Sequence, residues 1–107
     1  MAKTTQQDLM ENPYVTNAIL ECVLSISKIM YLLEKGDKKE EKTETKHLAD
    51  CLENLEFMLR VESLCNKDNI KEIDEKINFA ISKNYDFYYL MEAYYSATEI
   101  IRESFYL

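Results

Sequence analysis

Two glutamate pairs, Glu53-x-x-Glu56 and Glu72-x-x-Glu75, make the best case for chemistry in this chain. A spacing of three puts both carboxylates on one helix face. Two such faces opposed across a helical interface can hold magnesium against a substrate's phosphates. A second constellation surrounds His47. Glu44-x-x-His47 has the ligand spacing of carboxylate-bridged di-iron bundles, and His47 stands one turn from Cys51. His47 is the only histidine, so the second pair that a di-iron centre needs does not exist. Two ligands alone do not make a zinc site. Thiolate catalysis needs a base beside an activated cysteine. Only Cys51 neighbours the histidine, and it falls on an apolar stripe, where a thiol behaves as a small hydrophobe. A single glycine excludes a glycine-rich phosphate loop. With 20 acidic residues in 107, Glu-x-x-Glu spacings are also what a solvated helix surface produces. No catalytic residue, metal ligand or cofactor is assigned.

Glu53, Glu56, Glu72 and Glu75 resemble the metal-binding helices of all-helical nucleotide pyrophosphohydrolases of the MazG kind, which use Glu-x-x-Glu followed by Glu-x-x-Asp. Here the second element ends in Glu75, and no matching set of substrate-binding aromatics and lysines surrounds it. Separately, Ser82-Lys83-Asn84-Tyr85-Asp86 resembles the turn within a tetratricopeptide helix pair. No second copy follows at the repeat period, and one repeat cannot bury its own face.

The elements that must carry these residues are helices. One glycine and one proline occur in the chain, and both sit at expected helix ends. Asn12 and Pro13 suit an N-cap and first helical position, and Gly36 suits the left-handed residue after a helix. The expected helices are about 13–35, 43–65, 69–83 and 87–106, preceded by a flexible polar arm over 1–11. Asp37 and Glu40 also fit a capping box, so 37–46 is either helix or charged loop. The core stripes read Val15, Ile19, Cys22, Ile26, Ile29 and Leu33, then Leu48, Leu52, Leu55 and Leu59. They continue with Ile70, Ile73, Ile77 and Ile81, then Phe87, Met91, Tyr94, Thr98, Ile101 and Phe105. Asp68 and Asp86 are the expected caps of the third and fourth helices, and Asn84 ends the third. Short connections predict an all-α, up-down antiparallel four-helix bundle built from two helical hairpins, residues 12–107 forming one domain.

Two helices carry surplus apolar residues. Leu20, Leu24 and Tyr31 lie opposite the first helix's core stripe, and Phe57, Val61 and Leu64 do the same on the second. In an antiparallel hairpin these groups are expected near the same end. Either the first helix is central and surrounded by the others, or a second apolar surface serves self-association or a partner. The last 23 residues are crowded with aromatics. Tyr88, Tyr95 and Tyr106 share a stripe beside Glu92 and Glu99, which suits an interface or closes the bundle's edge.

The formal net charge of −7 disfavours direct binding to nucleic acid or anionic membranes. Glu21, Ser25, Ser27 and Lys28 interrupt the apolar stretch 18–33, arguing against a membrane span. The polar residues 1–11 do not resemble a signal peptide. Three cysteines without paired spacing suit a reducing, cytoplasmic setting. Cys22 and Cys51 are expected to be buried and inert, and Cys65, at a helix end, reactive. The expectation is a non-enzymatic protein-interaction module (an adaptor, inhibitor or small subunit) that forms a homodimer or hetero-complex. Its expected contacts are Leu20, Leu24, Tyr31, Phe57, Val61, Tyr88, Glu92, Tyr95 and Glu99. The alternatives are a magnesium-dependent nucleotide phosphohydrolase using Glu53, Glu56, Glu72 and Glu75, and an acidic nucleic-acid mimic.

Overall fold

The computed structural model describes residues 13–61 and 67–105. Within them the chain forms four α-helices and no strand: α1 (Pro13–Lys35), α2 (Lys38–Val61), α3 (Lys67–Ser82) and α4 (Phe87–Phe105). The polar arm over 1–11, Asn12, Leu64, Cys65, Tyr106 and the side chain of Phe105 lie outside what is described.

The α1–α2 turn has two residues because its capping is complete. Gly36, at φ 77°, donates its N–H to Leu33 O at 3.2 Å, and Asp37 N–H donates to Leu32 O at 3.1 Å. Both bonds satisfy carbonyls that the ending helix would leave open. Asp37 Oδ1 then accepts from Glu40 N–H at 3.1 Å, capping α2. The charged stretch 38–46 is therefore helix, and α2 starts five residues before the expected position 43.

The α3–α4 turn uses the same device without glycine. Asn84 N–H donates to Ile81 O at 3.0 Å, and Tyr85 N–H to Ala80 O at 2.9 Å. Asn84 and Tyr85 both adopt positive φ, 60° and 59°, which is unfavourable for a bulky residue such as tyrosine. α2 supports the conformation. Lys42 Nζ donates to Asn84 O at 2.5 Å, and Lys46 Nζ lies 5.8 Å from the centre of the Tyr85 ring. Asp86 caps α4 by accepting from Tyr88 N–H at 2.9 Å. Asp68 lies inside α3, in its described first turn, and not ahead of it.

The helices pack through seams with alternating three- and four-residue steps, the spacing of knobs-into-holes packing. α1 buries Val15, Ala18, Cys22, Ser25, Ile29 and Leu32. α2 buries Thr45, Leu48, Leu52, Leu55 and Leu59; α3 buries Ile70, Ile73, Ile77 and Ala80; α4 buries Leu90, Ala93, Ala97 and Ile100. Three expected stripes hold only in part: at Val15, Cys22, Ile26 and Ile29 of α1, at Ile70, Ile73 and Ile77 of α3, and at Ile101 of α4. Their other described positions depart from the seam. Leu33 is 49% exposed and Leu32 replaces it. Ile19 and Ile81 are only half-buried, as are Phe87, Met91, Tyr94 and Thr98. Ala18, Ala80, Ala93 and Ala97 occupy the seam beside Ile19, Ile81, Tyr94 and Thr98, and such small side chains let the backbones approach.

α2 packs closely against all three other helices, whereas α1 packs chiefly on α2. The first helix is therefore not the centre of the bundle; the second is.

Candidate interaction surfaces

With α2 covering one side only, the outward face of α1 remains in water. Leu20, Leu24 and Tyr31 are 51%, 69% and 56% exposed, and Val23 and Met30 beside them are 40% and 60%. Val23 and Met30 are additions to the expected set; their apolar character was the available signal. α1 is also the one described helix long and apolar enough to cross a membrane by length and composition. Core helices of water-soluble folds satisfy the same measure, and in α1 the apolar residues divide between the α2 seam and the outward face.

A polar clamp fixes the α1–α2 register. The buried Ser25 hydroxyl donates to Glu44 Oε2 at 2.7 Å, and Lys28 Nζ lies 3.1 Å from Glu44 Oε1. Burial alone would raise the Glu44 carboxyl, but the Ser25 hydrogen bond and the Lys28 ammonium outweigh it, holding the pKa below its ordinary value. Next to this clamp, Leu24 joins Glu21 and His47 along an open cleft of about 340 Å³.

That register separates two groups expected together. Phe57 and Val61 are exposed, at 52% and 57%. Phe57 lies 13 residues beyond Glu44, roughly 20 Å along α2, and is turned about 140° around its axis. Glu44 faces Ser25, and Leu20 lies roughly 8 Å from Ser25 toward the same end of the hairpin as Phe57. Both groups therefore lie on one side of the clamp but differ in height by roughly 12 Å and face different sides.

The tyrosine face lies along the α3–α4 groove. Tyr88, Tyr95 and Glu99 are exposed and Glu92 is half-buried. Tyr88 engages the Glu92 carboxylate one turn on, which raises its phenol pKa. Phe79 and Tyr89 meet edge to face at 4.8 Å between ring centres. With Tyr88, Glu72, Glu75 and Glu92 they line an open cleft of about 560 Å³. Lys76 ties the groove together, donating to Ser96 Oγ at 2.6 Å and approaching Glu72 Oε1 to 3.3 Å.

The glutamate pairs do not converge. Glu56 is buried and ion-paired to Arg60, while Glu72 lies in the α3–α4 groove. Glu53 is instead on the side of α2 where Asp74 acts on it; burial first, then Asp50, Asp74 and Glu56, raise its carboxyl pKa. Among the described residues, no three His, Cys, Asp or Glu side chains gather as a metal site. His47 Nε2 is 3.5 Å from Cys51 Sγ. The thiol is far from activated: burial, followed by Glu21, Glu44 and Asp50, pushes it up to about 11. Cys22 is pushed up to about 12 by burial, then by Cys51 and Glu21. Both cysteines are buried and free.

Comparison of the chain with known protein families, curated proteins and solved structures finds no match.

Proposed function

We propose that the protein is a non-enzymatic helical interaction module whose principal contact is the outward face of α1. One observation carries this reading: Leu20, Leu24 and Tyr31 form an exposed apolar row on a helix whose opposite side is already packed on α2. Burying such side chains fully is worth about 1.5–3 kcal/mol each, a large fraction of a typical domain stability of roughly 5–15 kcal/mol. The Tyr88–Tyr95 face, with Glu92 and Glu99, is a second and more polar contact surface. The Phe57–Val61 patch is separate from both.

Cross-linking in cells, followed by capture of the tagged full chain, tests the reading. The expected result is a discrete adduct, with another copy or a different protein, that disappears in Leu24→Glu. Adducts identical for both variants, or none from either, overturn it.

A further inference from the structure

We infer that the occupant of the α1 face is a second copy of this chain, with the two α1 helices running antiparallel. The inference rests on the reading of that face given above and adds the partner's identity and orientation. Leu20, Leu24, Ser27 and Tyr31 step by four, three and four along the outward side of α1, the spacing of a two-helix seam. All four are exposed. Immediately after Leu20 and Ser27 come Glu21 and Lys28, one heptad apart and therefore on the same flank.

Opposite charges repeated on one flank suit antiparallel pairing, because equivalent flanks then face each other. Placing Leu24 against the partner's Ser27 sets Leu20 against the partner's Tyr31. The same register brings Glu21 within a turn of the partner's Lys28, and two-fold symmetry makes that ion pair twice. A parallel pair would set this flank against the opposite one and leave Glu21 and Lys28 unmatched. Ser27, between Leu24 and Tyr31, gives the facing leucine room. Both charges can take part. Glu21 forms no ion pair among the described residues, and Lys28 remains 57% exposed while bridging Glu44.

Charge exchange separates this arrangement from others. Glu21→Lys and Lys28→Glu, each in the full-length chain, place like charges together twice in their own homodimers. Each is expected to weaken self-association about tenfold, from small per-pair contributions added over both sites. Mixing the two variants restores opposite charges at both contacts, so a heterodimer with near wild-type affinity is expected by sedimentation equilibrium. The double variant, carrying both exchanges, is expected to recover as a homodimer. Lys28→Glu, alone or in the double variant, also loses its bridge to Glu44, so circular dichroism accompanies each measurement. If either unfolds, Glu21→Lys against Glu21→Gln carries the test: the like-charged lysine is expected to weaken association more than the neutral glutamine, and equal affinities overturn the antiparallel register. Failure of the double variant to recover while it remains helical overturns the antiparallel register. A wild type of monomer mass overturns self-pairing, and in that case a Leu24-dependent adduct with another protein would leave the wider reading standing.

Discussion

The two hairpins solve the same problem with different chemistry. α1–α2 turns on Gly36, whose left-handed backbone is unstrained, and locks its register with the buried Ser25–Glu44–Lys28 clamp. α3–α4 turns on Asn84 and Tyr85, both left-handed despite their side chains, and leans on Lys42 and Lys46 of α2. The surfaces differ in parallel. The outward side of α1 is aliphatic, with few charges, whereas the α3–α4 groove sets rings among carboxylates. The first hairpin is thus locally complete in its turn and incomplete in its burial; the second depends on its neighbour for the turn and mixes its exposed rings with solvated charge.

The contrast between seam and outward face predicts the largest effect. Leu52 is fully buried on the central helix, so Leu52→Ala should cost about 2–5 kcal/mol in urea unfolding. Leu20→Ala, measured below any association threshold, should fall within about 0.5 kcal/mol of wild type. Comparable losses at both positions would make the outward face core.

Next comes the clamp. Glu44→Ala leaves the buried Ser25 hydroxyl without its closest acceptor and should cost roughly 1–3 kcal/mol. The Glu44 carboxyl has a folded-state pKa below its ordinary 4.5. Its contribution is therefore fully present above the unfolded pKa and fades as pH falls through the folded one. Glu44→Gln should accordingly flatten the acid limb of the stability profile. An unchanged acid limb would show that the clamp carries no pH dependence.

The turns should differ by less. Gly36→Ala forces a side chain into the left-handed region and should cost about 1–2 kcal/mol in thermal unfolding. Asn84→Gly should be nearly neutral or stabilising, since asparagine already tolerates that conformation. The reverse ranking would mean that the second turn is set by Asn84 itself and not by the lysines of α2.

Much of this is legible in the sequence. Period 3.6, Pro13, Gly36 and Asp86 marked the helices, and the leucines of α2 marked its seam. The α1 seam is legible at Val15, Cys22, Ile26 and Ile29 but not at Ala18 and Ser25, and most of the α4 seam is not legible. The reason is that Ala18, Ser25, Ala93 and Ala97 carry little hydrophobic signal, while neighbouring Leu33, Met91 and Tyr94 carry more. Close helix approach selects small side chains, and a search for large ones drifts off it. The exposed row Leu20, Leu24 and Tyr31 could be read from periodicity alone. Its offset from Phe57 could not, because that depends on the hairpin's register, which the Ser25–Glu44 contact shows.

The smallest signal is kinetic. Cys22 and Cys51, with thiols held at about 12 and about 11, should label far more slowly with iodoacetamide at pH 8 than a free cysteine, whose thiol titrates near 8.5. Rapid labelling of both in the native state would contradict their place between α1 and α2.

Sedimentation equilibrium of the wild type beside Leu24→Glu bears most directly on the α1 face. The prediction is a wild type at twice the chain mass and a Leu24→Glu variant that is monomeric with undiminished helix content, because the substitution spares the α2 seam. A wild type of monomer mass, together with a Leu24→Glu variant that has lost its helices, would show that the outward face of α1 belongs to the core.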